Sequence, residues 1–149
     1  MSDVPVVYVD TSALGALLVA QAETDALLDW LGRAPARLVS SDLLETELRR
    51  LAVREERDQA KVSALLDGVS LAALDRAAYR SAGLLPLPHL RTLDALHLEA
   101  ALRLDVDAVL TYDNRLGEAA RAVGLEVIAP GAVSASHPDS GGREIGGET

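Results

Sequence analysis

One stretch constrains the chain more than any other: Val6-Val7-Tyr8-Val9-Asp10-Thr11-Ser12-Ala13-Leu14. A run of valines broken only by Tyr8 has the composition of a strand buried on both faces. It stops at a carboxylate, and apolar residues at helical spacing follow two hydroxyl residues later. A strand that turns at once into a helix places Asp10 at the carboxyl edge of a parallel sheet. Open α/β sheets bind ligands at that edge. Asp10 or Thr11 also suits the cap of the following helix. Three more carboxylates in comparable positions shift the balance towards a site.

The rest of the chain continues the alternation. Ser12–Ala20 and Thr24–Leu31 carry apolar residues at helical spacing, the second with Gly32 as its stop. A short strand, Arg37–Ser40, leads into a long helix capped by Ser40 or Ser41 and striped by Leu44, Leu48 and Leu51. An amphipathic segment, Gln59–Leu66, a short strand, Val69–Leu71, and a helix, Asp75–Ala82, follow. Pro86 and Pro88 make Leu84–Leu90 a loop. A helix from Thr92 to about Leu104, a strand Ala108–Thr111, a helix Leu116–Val123 and a strand Glu126–Ile128 complete the pattern, and Pro130-Gly131 ends it. The expectation is an α/β fold with a mainly parallel sheet and helices on both faces.

At 149 residues the chain suits one domain. We place it at residues 1–131. Residues 132–149 read as a disordered tail, because Ser134–Thr149 is rich in Gly and Ser and almost empty of apolar side chains. The chain has no Phe, one Trp and three Tyr, so Leu, Ala and Val must fill the core. The lack of Cys excludes disulfides, thiolate metal sites and Cys nucleophiles. No apolar run is long enough to span a bilayer, and Met1-Ser2-Asp3 lacks the basic start of a signal peptide, so a cytoplasmic location is expected. The net charge of −9 argues against a tight, non-specific nucleic-acid binder.

Asp10 and Asp113 each follow an interior strand. Asp94 falls in the first turn of a helix, and Glu47 lies inside the long one. Helix starts and strand ends meet at one edge of a right-handed α/β sheet, so these four acids can converge. Together they would raise one another's pKa unless a cation compensates. Oxygen donors without nitrogen or sulfur suit Mg²⁺ or Mn²⁺. Each acid has a plainer reading as well: a helix-dipole partner for Asp94, a solvated face for Glu47, turn chemistry with Asn114 for Asp113. His97, three residues from Asp94, reads as a packed or surface histidine; His89 and His137 receive no role.

Val-Asp-Thr-Ser-Ala-Leu (9–14), Glu-Leu-Arg-Arg (47–50), Leu-Asp-Ala-Leu-His-Leu (93–98) and Leu-Thr-Tyr-Asp (110–113) resemble the four acidic motifs of PIN-domain nucleases. The similarity is greatest to the VapC-type ribonuclease toxins of toxin–antitoxin pairs, and it covers Val4 to Ile128. It implies a three-layer α/β/α PIN-like domain and a metal-dependent endoribonuclease. Asp10 and Asp94 would be metal ligands, and Asp10, Glu47, Asp94 and Asp113 the catalytic set. Thr11 or Ser12 would support the first carboxylate, and Thr111 matches a hydroxyl position before the last Asp. The implied reaction is in-line attack of water on a phosphodiester, leaving 5′-phosphate and 3′-hydroxyl ends. Few basic residues serve substrate grip, with Lys61 the only lysine. The candidates for phosphate contacts are Arg49, Arg50, Arg91 and Arg115, with tRNA as a possible substrate.

Other strand-Asp enzymes fit less well. A haloacid-dehalogenase-type phosphatase needs Asp where Ser12 stands. A response-regulator receiver needs an acidic pair and a later Lys. No G-x-G-x-x-G follows strand one. The remaining alternative is a PIN-like binding or regulatory protein with little or no nuclease activity. The Leu- and Ala-rich helices Thr24–Leu31 and Leu43–Leu66 suggest an apolar groove for a partner helix. The resemblance implies a homodimer and a VapB-type antitoxin that reaches an Arg into the acidic pocket, with no membrane partner.

Overall fold

The computed structural model describes residues 4–133. Nearly all of the proposed tail, 134–149, and His137 with it, lies outside the described residues. Among the described residues twelve elements follow one another as expected: β1 (Val6–Val9), α1 (Thr11–Leu18), α2 (Thr24–Arg33), β2 (Arg37–Ser41), α3 (Asp42–Arg54), α4 (Gln59–Leu66), β3 (Ser70–Ala72), α5 (Arg76–Gly83), α6 (Thr92–Arg103), β4 (Ala108–Leu110), α7 (Asn114–Ala122) and β5 (Glu126–Ile128). The sheet is wholly parallel in the order β3-β2-β1-β4-β5.

This order makes β1 the centre. The chain winds outward from β1 to β3 on one side, then returns to β4 on the other. The reversal lies between β1 and β4, where an open sheet leaves a crevice beyond its strand ends. Asp10 closes β1, and Asp113 follows β4 by three residues. Val7 and Val9 face a core with Leu14, Leu18, Leu27, Leu44 and Leu48 from α1, α2 and α3. Tyr8 points to the opposite core, among Leu98 of α6 and Leu116 of α7. The period-2 alternation of β1 thus sets two helical layers on the two sheet faces.

Several local expectations need correction. Neither Ser40 nor Ser41 caps α3 with its side chain. Ser40 Oγ donates to the Val9 carbonyl at 2.7 Å, and Ser41 Oγ accepts from the Tyr8 hydroxyl at 3.0 Å. Tertiary partners outbid the local cap. Gly32 does not stop α2, which runs on through Arg33. α7 begins at Asn114 rather than Leu116, because Asp113 Oδ1 accepts from the backbone N–H of Arg115 and Leu116. Gly131 has a φ of +78°, and a Cβ there would stand 2.7 Å from Ala26 Cβ, so the position suits glycine alone.

The partner-helix expectation divides. Leu27, Leu44, Leu48, Val62 and Leu66 are core residues, whereas Leu28 and Val53 are left exposed. A groove of about 950 Å³ runs past Gly15, Val19, Leu43 and Leu51, with Arg50 and Arg54 along it and Glu47 at its acidic end. Gly15 of α1 leaves room for the Leu51 side chain of α3; a Cβ there would lie 2.9 Å from Leu51 Cδ2, which would have to shift.

Candidate active site

Asp10 stands at the carboxyl end of the central strand β1 and does not itself line the cleft of the other three acids. Its carboxylate caps α1, accepting from Ala13 N–H at 3.3 Å, and accepts the Ser12 hydroxyl at 2.8 Å. It is only 5% exposed. Burial pushes its pKa up to about 6; the Ser12 hydroxyl, the charge of His97, Thr111 and the Ala13 N–H offset this only in part. A carboxylate in this condition is short of positive charge.

Ser12 and Thr111 tie the two strand ends together. Ser12 Oγ, having given its proton to Asp10, accepts Tyr112 N–H at 2.8 Å and lies 3.2 Å from Thr111 Oγ1. Thr111 Oγ1 accepts Asp113 N–H at 3.0 Å. The hydroxyls therefore fix where Asp113 begins its helix. Of the two hydroxyls expected near Asp10, Ser12 makes the contact. Thr11 Oγ1 is buried without a partner among the described residues.

Glu47, Asp94 and Asp113 line one cleft of about 620 Å³, together with Arg91, Asn114 and Arg115. Asp94 titrates above its ordinary range. Burial is the main cause, and Asp113 and Glu47 add to it against the opposing charges of His97 and Arg91. Two elements bring these acids from opposite sides of the sheet. Glu47 rides on α3 of one layer and Asp94 on α6 of the other, and both meet at the carboxyl edge.

His97 is the residue that sequence reasoning undervalued. It is 3% exposed and meets Glu47 Oε1 at 2.5 Å through Nε2. Its Nδ1 lies 2.7 Å from the Tyr8 hydroxyl, and the two rings meet edge to face with centroids 5.7 Å apart. Tyr8 is itself fully buried, and burial pushes its pKa up to about 12. The available signal was Tyr8, the lone polar-tipped residue in a strand of valines.

The four arginines separate. Arg91 and Arg115 stand in the acidic cleft and form no ion pair among the described residues. Arg50 faces the adjoining groove, joined there by Arg54, which sequence reasoning missed. The structure does not bring Arg49 to the cleft. Its guanidinium is spent on Glu45 at 2.9 Å and on Gln59 and Ser63 at 3.2 Å, clamping α3 to α4. His89 lies beside Arg91 and Arg115 in a neighbouring groove.

The donor set fits a hard divalent cation. Among the described residues, no three Asp, Glu or His side chains are close enough to enclose one ion. Mg²⁺ does not need that, since it commonly keeps several waters and takes one or two carboxylates. Asp10 and Asp94, both with raised pKa, are the carboxylates to which a cation would restore charge balance.

A sequence model of the PIN domain matches residues 7–122. The chain belongs to the PIN-domain family. This PIN domain is of the VapC type: it is 40% identical over 132 residues to ribonuclease VapC35 of Mycobacterium tuberculosis, spanning 84% of this chain and 97% of that one. It is also 40% identical over 128 residues to ribonuclease VapC46 of the same organism, spanning 83% and 97%. Two solved structures share the PIN fold. M. tuberculosis VapC20, a sarcin–ricin loop cleaving toxin, superposes with a TM-score of 0.68 at 18% identity, covering 83% of this chain and 99% of that one. A toxin–antitoxin complex from Klebsiella pneumoniae gives 0.65 at 17% identity, covering 83% and 97%.

Proposed function

We propose that the chain is the toxin of a toxin–antitoxin pair and acts as a metal-dependent endoribonuclease. The observation that carries this is the gathering of Glu47, Asp94 and Asp113 in one cleft, with the buried Asp10 linked to the backbone N–H of Asp113 through the Ser12 and Thr111 hydroxyls. Identity to named ribonucleases over nearly their whole length supports it. Asp10 and Asp94 would hold Mg²⁺ or Mn²⁺. Such an ion lowers the pKa of water and neutralises charge on a phosphoryl group. Glu47 orients the attacking water, and Asp113 aids it from the start of α7. Water adds to phosphorus in line with the departing 3′ oxygen. The P–O3′ bond breaks, that oxygen takes a proton, and the products carry 5′-phosphate and 3′-hydroxyl ends. Sequencing 5′-phosphate ends after expression of the chain in a bacterial host tests the reading. Discrete new ends are expected, and an end profile identical to that of an empty vector would refute it.

Arg50, Arg91 and Arg115 grip the RNA backbone on either side of the acids, since few aromatic side chains exist to stack on bases. Reversing these three charges to Glu is expected to weaken RNA binding at low salt by about tenfold or more. Arg49→Glu is expected to act through the fold instead, by loosening α4. Anisotropy titration of tRNA against the triple variant makes the check. Affinity equal to that of the unmodified chain would remove these arginines from the interface.

The 950 Å³ groove accepts a helix of a VapB-type antitoxin. Its apolar wall leads to Glu47, so an antitoxin Arg reaching that end supplies the charge that the acids lack. The chain pairs as a homodimer. Light scattering at tens of micromolar is expected to give twice the chain mass, and a monomer alone would contradict the pairing.

A further inference from the structure

Glu47 and Asp94 reach the cleft from helices on opposite faces of the sheet, so something must hold them in a fixed relation. The His97 imidazole does so. It stands one turn after Asp94 on α6, and its Nε2 contacts Glu47 Oε1 of α3 at 2.5 Å. A carboxylate can only accept, so the proton of this bond sits on Nε2. The ring cannot turn away, because its Nδ1 is held by the Tyr8 hydroxyl at 2.7 Å and Tyr8 is held in turn by Ser41 at 3.0 Å. Tyr8 belongs to the central strand and is fully buried, so the chain of contacts ends in the middle of the sheet. Glu47 keeps 26% of its side chain exposed. One oxygen is clamped by His97, and the other is left to the cleft.

We propose that His97 is a positioning residue that acts on RNA cleavage by orienting Glu47, with Tyr8 and Ser41 as its anchor. The proposal rests on the ribonuclease reading. Partners of this kind, which orient a functional carboxylate or imidazole, change activity substantially when removed even though they touch no substrate.

Two substitutions separate orientation from packing. The amide nitrogen of Gln reaches about where Nε2 stands and can donate to Glu47. That of Asn reaches only about where Nδ1 stands and can meet Tyr8 but not Glu47. On an RNA oligonucleotide spanning the first mapped cleavage site, H97N is expected to lower kcat by about 10–100-fold with KM changed less than about threefold, and H97Q to recover most of that loss. Because His97 acts through Glu47, the double variant H97N/E47Q is expected to be no slower than E47Q alone. Wild-type kcat in H97N, equal losses in H97N and H97Q, or fully additive losses in the double variant would each overturn the proposal. Crystal structures of the two variants decide it without activity. Glu47 is expected displaced in H97N and in place in H97Q, and an unmoved Glu47 in H97N overturns the proposal. A wild-type chain that cuts no RNA would defeat the ribonuclease reading, leaving these structures to judge the clamp itself.

Discussion

Asp10→Asn is expected to abolish cleavage while making the metal-free protein more stable. Asparagine keeps the shape and still accepts from Ser12 and Ala13, but it removes the charge that attracts the cation. A loss of about a thousandfold or more in turnover follows if that charge anchors the metal. Stability moves the other way. Burial raises the Asp10 pKa from 3.8 to about 6. Well below its ordinary pKa of 3.8 the group is neutral in both folded and unfolded chains and costs nothing. As pH rises from about 4 to about 6, the unfolded chain ionises this group while the folded protein still holds its proton, and stability is lost until the folded carboxyl ionises as well. A displacement of that size corresponds to on the order of 3 kcal/mol at pH 7. The new amide must find its own acceptor, so a net gain of about 1–2 kcal/mol is expected. Urea denaturation without metal, at pH 7 and again at pH 4, measures it. The gap between variant and wild type should shrink at the lower pH. A variant less stable than wild type at pH 7 would show that the carboxylate is already compensated by the protein.

The second large effect concerns the core under Glu47. Leu48 is fully buried in the cluster that α3 shares with α1 and β1. Leu48→Ala is expected to cost about 3 kcal/mol, from lost apolar burial and from a cavity that α3 cannot close. The helix is fixed at its start by β2 and at its flank by the Arg49 clamp to α4. It therefore cannot sink to fill the space. Thermal denaturation checks this, with a fall of about 4–8 °C per kcal/mol expected for small domains and somewhat less here. A melting point within 2 °C of wild type would mean that the layer repacks freely, and the rigid placement of Glu47 would lose its basis.

Much of this was legible in the residues. The valine run of β1 and the alternation of strand and helix point to the architecture, and three of the four acids, Glu47, Asp94 and Asp113, share one cleft. The losses came where tertiary contacts overrode local ones. Ser40 and Ser41 stand where a cap belongs, yet β1 and Tyr8 claim their hydroxyls. Asp113 with Asn114 carries the turn chemistry that its sequence suggests, and because Asp113 caps α7 that helix starts two residues before Leu116. Arg49 sits beside Arg50 in sequence and about 100° from it round the helix. That rotation sends one to α4 and the other to the groove. His97 looked like filler among apolar neighbours, because its partners Glu47 and Tyr8 are 50 and 89 residues away. No periodicity within α6 could point to either.

The most direct test of the central claim uses the purified chain, RNA and a divalent cation. Wild-type protein with Mg²⁺ or Mn²⁺ is expected to convert a bacterial RNA pool to fragments with 5′-phosphate ends. EDTA and, separately, Asp10→Asn are each expected to stop it. Cleavage that persists undiminished in EDTA, or in the Asp10→Asn protein, would contradict a metal-dependent nuclease built on these acids.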